Sequence, residues 1–213
     1  MDVAAGSGTD LLNVRNVIGA DKATLYALEA FMPNVDKLRK NQINVMQANI
    51  ERDKLPFSDG SMDMIIANQI LEHCKELWWI FSEMSRILKP GAHAIIGVPN
   101  LASLHCRAML LIGKQPTCIE THGPHVRGFT YKDLKYFIED GGYFKVVERK
   151  GSGFYSIIPG LSRVMAKVFP GAAINMTLMV ERTDKSGLFI ENLSDCKYET
   201  NFYDGKSDGD FMS

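Results

Sequence analysis

Apolar positions along this chain fall into two rhythms that alternate from its first residues to about residue 181. Short, mostly apolar runs, at 1–5, 16–20, 43–50, 62–69 and 92–98, have the length of strands buried on both faces. Between them, apolar residues return every three or four positions, the period of an amphipathic helix. Residues 22–40 carry Leu25, Leu28, Phe31, Met32 and Val35 in that spacing, with Pro33 expected to break or kink the helix. Residues 70–88 carry Leu71, Leu77, Trp78, Phe81, Met84 and Leu88, and the pattern stops at Lys89-Pro90-Gly91. Residues 9–13 supply little more than one helical turn before the second strand at 16–20. Strand and helix in alternation predict a mostly parallel sheet with helices on both faces, the doubly wound α/β class. Ligands of that class sit at the carboxyl ends of the strands.

After Pro99-Asn100 the rhythm changes. An apolar helix is expected at 101–112, a polar loop at 113–128, and a helix at 130–140 with Thr130 as N-cap and Asp133 three residues on. Residues 144–150 and 177–181 read as the last two strands, which include an antiparallel pair and bring the sheet to seven. The apolar stretch 155–169 joins them. These elements form one domain over 1–184, and the Asp-, Glu-, Asn-, Ser- and Gly-rich stretch 185–213 is expected to be an irregular or mobile tail.

Composition narrows the functions this domain can have. With 24 basic and 25 acidic side chains among 213 residues, the chain has no overall charge that favours nucleic acid or an anionic membrane. No apolar stretch approaches the roughly 20 residues of a membrane-spanning helix, and the N-terminus lacks a basic-then-apolar signal pattern, so the protein reads as cytoplasmic. Cys74, Cys106, Cys118 and Cys196 form no CxxC pair, which argues against zinc or a disulfide framework and for small core hydrophobes. No metal is expected.

Chemistry concentrates at two places. Asp2-Val-Ala4-Ala-Gly6-Ser-Gly8 is a strand end entering a glycine turn, where a ligand can approach the backbone and a helix start offers free N–H groups. Asp21 would end the next strand and accept both hydroxyls of a ribose, since a carboxylate only accepts and a vicinal diol donates twice. A plain strand-to-helix turn with a surface aspartate has the same pattern. A nicotinamide-dependent oxidoreductase is the rival ligand class, weakened because Leu11 stands where the third small residue of GxGxxG belongs.

Further along, Asn49-Ile50 ends the third strand, Leu55-Pro-Phe-Ser-Asp-Gly-Ser-Met-Asp63 leads into the fourth, Asn68-Gln-Ile-Leu-Glu-His73 follows it, and Arg86-Ile-Leu-Lys-Pro-Gly91 precedes the fifth. In this order the motifs resemble the class I S-adenosylmethionine-dependent methyltransferases, with His125-Val-Arg-Gly-Phe-Thr130 and Gly141-Gly-Tyr-Phe similar to the family's distal half. The resemblance implies a Rossmann-like methyltransferase fold and S-adenosylmethionine as cofactor. Asp2, Ala4, Gly6 and Gly8 would hold its methionine part, Asp21 the ribose, Asn49, Ile50 and Phe57 the adenine, and Asn68 and Gln69 would border the sulfonium. Ala4 and Asn49 depart from the family's usual glycine and acidic residue. The chain also starts inside the expected first strand, so the resemblance implies an N-terminally truncated domain without its covering helices.

Methyl transfer to a hydroxyl needs alignment and removal of a proton, and histidine is the natural base near neutral pH. His73, directly after the fourth strand, and His122 and His125, on the loop after the fifth, are the catalytic candidates, with Glu72 beside the first. Glu120 is the one near carboxylate that could join His122 and His125 on a metal. The expected reaction is O-methylation of a small molecule of the sugar, glycan or lipid-like kind, by a monomer or homodimer without nucleic-acid partners or stable membrane insertion. A catalytically silent methyltransferase-like binding module is the alternative, motivated by Ala4, Asn49 and the missing start.

Overall fold

The computed structural model describes residues 1–19, 22–155, 158–195 and 202–205. Its strands are β1 (Asp2–Val3), β2 (Tyr26–Leu28), β3 (Asn44–Met46), β4 (Met62–Asn68), β5 (Leu88–Pro99), β6 (Phe144–Ser152) and β7 (Asn175–Arg182). They form one sheet in the order β3-β2-β1-β4-β5-β7-β6. The first five pair in parallel, while β7 runs antiparallel to both β5 and β6. Order reverses beside β1, so the carboxyl ends of β1, β2 and β4 flank the crevice where this class binds ligands. The helices are α1 (Thr9–Ile18), α2 (Met32–Lys40), α3 (Leu77–Ile87), α4 (Leu104–Leu111), α5 (Tyr131–Glu139) and α6 (Pro159–Val168).

The centre of the sheet matches the pattern of the sequence. Ile65 and Ala67 of β4, Ala94, Ile96 and Val98 of β5, and Met176, Leu178 and Val180 of β7 are fully buried. Thr130 Oγ1 caps α5 by accepting from Asp133 N. Strand β5 begins earlier than expected, because Lys89-Pro90-Gly91 is a bulge within it, with Gly91 at φ 79° and a register shift between Met62 and Met64 on the neighbouring strand.

Chain placement before β3 differs from the expectation. Residues 16–18 are not a strand but the end of α1, which buries Leu11 and leaves Val17 85% exposed. The second strand is Tyr26–Leu28, within the segment read as one long helix. It is buried at Ala27 and Leu28 and lies between β1 and β3. Pro33 does not kink a helix but starts one, in the first turn of α2, where its missing N–H has no helical partner to lose.

The loop before β4 is fastened to α3 by a buried polar network. Arg86 donates to Glu83 Oε1 and Oε2 at 2.8 and 2.6 Å, to Leu55 O at 2.9 Å, to Phe57 O at 2.6 Å and to Asp59 Oδ1 at 2.9 Å. Glu83 Oε2 also accepts from Leu55 N at 2.6 Å. These bonds explain why Leu55-Pro-Phe and Arg86 occur together: the arginine is buried with Glu83, and the loop's carbonyls take up its remaining N–H groups.

The stretch from residue 185 is not an irregular tail throughout. A 3-10 helix at Phe189–Asp195 places Phe189, fully buried, against Trp78, Phe81, Phe137, Tyr143 and Phe144. Tyr203 meets Trp79 edge-on and donates its N–H to Glu76 Oε2 at 2.7 Å.

Candidate active site

The turn after β1 reverses the chain with three left-handed residues, Ala4 at φ 58°, Gly6 at φ 54° and Gly8 at φ 84°. Ala5 N donates to Leu28 O and Gly8 N to Ala5 O, which fixes the loop beside β2. The two glycines serve different ends. A Cβ on Gly8 would lie 2.5 Å from Leu38 Cδ2, so α1 packs closely there, whereas a Cβ on Gly6 would meet nothing within 4 Å. The turn therefore opens onto free space at Gly6, as a ligand cradle requires. Ala4 holds a conformation that strains any residue with a Cβ.

Asp2 is buried beneath this turn, and its carboxyl is pushed up to about 7 by burial and then by the nearby charge of Asp10. Asp10 Oδ2 accepts from Asn68 Nδ2 at 2.9 Å, tying the first turn of α1 to the end of β4. Gly97 on β5 makes room for that bond, since a Cβ there would sit 2.1 Å from Asn68 Oδ1. Gln69 follows in the left-handed region at φ 56°, its N–H donating to Gly97 O.

A cleft of about 370 Å³ lies at the carboxyl ends of β1, β2 and β3, lined by Ala4, Leu28, Glu29, Ala30, Ala48, Asn49, Ile50 and Ile70. Ala4, Asn49 and Ile50 are thus brought together as expected. Asp21 lies outside the described residues, and the strand it was expected to end is absent: Glu29 stands at the end of the true β2. Glu29 Oε1 accepts from Phe31 N at 2.8 Å and Oε2 from Asn34 Nδ2 at 3.3 Å, an arrangement that orients the carboxylate and leaves acceptor capacity on both oxygens. Asn49 Oδ1 already accepts from Glu51 N at 3.0 Å, so one lone pair remains for an amino group. Phe57 lies elsewhere, edge-on to Tyr26 and lining a larger hollow of about 910 Å³ that also touches Met1, Lys22 and Met62, at the opposite ends of the strands. Glu29 gives the lining of the cleft its negative charge, and Asp10 at the start of α1 adds another near Asp2, which suits a cationic ligand and disfavours a pyrophosphate there.

Past Ile70, a 3-10 turn at Leu71–His73 carries Glu72 and His73, and the loop after α4 returns to meet it. Val126 N donates to Glu72 O at 2.8 Å, Arg127 Nη2 to Lys75 O at 2.6 Å, and Asn100 bridges to Phe129 at the loop's end. Buried Asn100 anchors that end by donating to Gly171 O and Ala173 O. These bonds bring His125 to His73, ring centroids 4.7 Å apart and edge-on. Glu72 is buried, its carboxyl raised above the usual range by that burial, and its Oε2 has no hydrogen-bond partner among the described residues. His122 is exposed and stands outside this group, as does Glu120. Cys106 and Cys118 are free thiols whose sulfurs lie 3.4 Å apart, although no sequence spacing pairs them.

Glu29 and Asn100 were not singled out from the sequence. Tyr-Ala-Leu is too short to show a strand period, and the signal that points to Glu29 is its place directly after a buried tripeptide. Nothing in the sequence tells that Asn100 would be buried.

Residues 1–96 match the methyltransferase domain family. A "probable S-adenosylmethionine-dependent methyltransferase" of Mycolicibacterium smegmatis is 32% identical over 99 residues, 45% of this chain and 35% of that protein. An uncharacterized 37.1 kDa protein of a Streptomyces fradiae transposon is 25% identical over 107 residues, 49% of this chain and 31% of that protein. These matches thus span about a third of the length of the curated relatives. Among solved structures, an S-adenosylmethionine-dependent methyltransferase of Thermotoga maritima superposes with a TM-score of 0.62 at 17% identity, covering 85% of this chain and 81% of that one. One from Methanosarcina mazei gives 0.60 at 15% identity, covering 86% and 92%.

Proposed function

Because residues 1–96 match the methyltransferase domain family and the sheet has the fold of solved S-adenosylmethionine-dependent methyltransferases, we propose that this chain transfers a methyl group from S-adenosylmethionine to an oxygen of a small molecule. The observation that carries the reading is the placing of Glu29 at the end of β2, on a cleft shared with Ala4, Asn49 and Ile50. S-adenosylmethionine supplies an electrophilic methyl on a sulfonium. Glu29 would accept the two ribose hydroxyls, Asn49 Oδ1 the adenine amine, and Ile50 would pack the adenine face. Asp2, Asp10 and the turn through Gly6 and Gly8 would meet the cationic methionine end. Asn68 and Gln69 would border the methyl.

His73 and His125, beyond Ile70, would deprotonate or anchor the acceptor hydroxyl as its oxygen bonds to the methyl carbon and the carbon–sulfur bond breaks. Exposed Leu110, Leu111, Leu161 and Val164 on α4 and α6 favour a lipid-like alcohol as acceptor. No helix among the described residues is long and apolar enough to cross a membrane.

The test is incubation with methyl-labelled S-adenosylmethionine and a panel of sugars and hydrophobic alcohols. A methyl ether is expected with at least one class, and His125→Ala is expected to lower turnover with S-adenosylhomocysteine affinity retained. Cofactor binding without transfer to any acceptor would instead favour a silent binding module, a reading to which the strain at Ala4 and the occupied Asn49 oxygen lend support.

A further inference from the structure

Glu72, His73 and His125 are the one group of three metal-type donors among the described residues, with one ligand atom of each within 4.8 Å of the other two. Two further observations point to what they hold. Glu72 is 1% exposed, and its Oε2 is buried with no hydrogen-bond partner among the described residues, an arrangement that is costly unless something else meets that oxygen. The histidine rings, meanwhile, are held by backbone carbonyls. His125 Nδ1 lies 2.8 Å from Cys118 O, and His73 Nδ1 lies 3.3 Å from Pro124 O. A carbonyl only accepts, so each Nδ1 carries the hydrogen and Nε2 is the nitrogen left to meet a ligand. Metal-binding histidines are oriented in this way.

We propose that Glu72, His73 and His125 bind a divalent cation of the zinc type. Two imidazoles and a carboxylate are a nitrogen-and-oxygen donor set suited to such an ion, and three protein ligands leave a further position open. Donors on an ion with bonds of about 2.1 Å sit about 3.4 Å apart, so the group must close from its present spread. His73, exposed on a short turn, is the side chain with room to move. Glu120 is not needed, because the fold brings in Glu72 from the turn after β4.

The open position connects this site to the proposed reaction and rests on that reading: Ile70 lines the cofactor cleft, and Glu72 follows two residues later. A cation there would anchor the acceptor's oxygen beside the methyl as a Lewis acid. An imidazole whose Nε2 holds the ion is a ligand and not the base, which selects anchoring over deprotonation as its role.

The experiment is calorimetric titration of the chelator-treated chain with zinc chloride alone, repeated for His125→Ala and Glu72→Gln, with S-adenosylhomocysteine titrated separately into each. One saturating equivalent is expected, weakened by about tenfold or more in each variant, with S-adenosylhomocysteine affinity unchanged. Absence of saturable zinc binding by the unaltered chain, or equal zinc affinity in the variants, overturns the site. Should either variant fail to fold, His73→Gln at the exposed ring carries the same comparison. Cobalt(II) added to the unaltered chain is expected to give a ligand-field spectrum without a thiolate band; such a band would put Cys74 in the shell and overturn the assignment. Zinc binding that depends on these residues in a chain that does not bind S-adenosylhomocysteine would keep the cation site and sink the methyltransferase reading; the converse would sink the cation site alone.

Discussion

Asp2 lies buried beneath the turn that the proposed reading sets against the methionine end of S-adenosylmethionine. Its carboxyl stands near pH 7 instead of 3.8, first because it is buried and then because Asp10 is close. Between those two values the folded chain holds a proton that the unfolded chain has released. The stability this contributes is fully present below about 3.8 and is lost as pH rises through about 7. A cationic ligand favours the charged carboxylate, so S-adenosylmethionine is expected to bind more tightly as pH rises through the same range. Thermal melts and titrations of the unaltered chain and Asp2→Asn measure both effects, and pH profiles that do not differ between the two would contradict the role. Ala4, Asn49 and Ile50, which the structure gathers on one cleft, could be placed from the sequence because each sits next to a strand end marked by turn residues. Glu29 could not, because β2 is three residues long and both of its faces are buried. Leu25 just before it and Leu28 at its end stand at helical spacing, so the segment has the pattern of one helix.

At the scale of elements, α3 fastens the loop before β4 by what it buries. Arg86 and Glu83 are both nearly inaccessible, and the loop carrying Leu55 and Phe57 satisfies the rest of the guanidinium. Glu83 holds Arg86 in its charged form by direct hydrogen bonds. Arg86→Met would leave the Glu83 carboxylate buried and unpaired, and is expected to cost about 3 to 5 kcal/mol. Chemical denaturation measures it; a loss under about 1 kcal/mol, the scale of an exposed ion pair, would mean that the network is not dry. The strands and helices from β4 through β5 were legible because long apolar runs and a clear helical stripe agree with their burial. The loop that brings His125 to His73 was not, since its placement depends on backbone bonds from Val126 and on Asn100, which leave no periodic trace.

For the molecule as a whole, a seven-stranded, mostly parallel sheet could be expected from its motifs, but the extent of the core could not. Phe189 lies among isolated aromatics in a polar stretch, yet it completes an aromatic cluster with Trp78, Phe81 and Phe144. Phe189→Ala is expected to destabilise the fold by about 3 to 5 kcal/mol, read as a lower denaturation midpoint; an unchanged midpoint would show that this segment does not belong to the core. The central claim is that the cleft at the carboxyl ends of β1, β2 and β3 takes S-adenosylmethionine with Glu29 on its ribose. Calorimetric titration with S-adenosylhomocysteine tests it most directly, comparing the unaltered chain with Glu29→Ala and Asp21→Ala and using NAD as a control. Binding of S-adenosylhomocysteine but not NAD is predicted, weakened by about 1.5 to 3 kcal/mol in Glu29→Ala, the scale of hydrogen bonds to a charged group, and unchanged in Asp21→Ala. Equal affinity in Glu29→Ala and the unaltered chain, or preference for NAD, would contradict it.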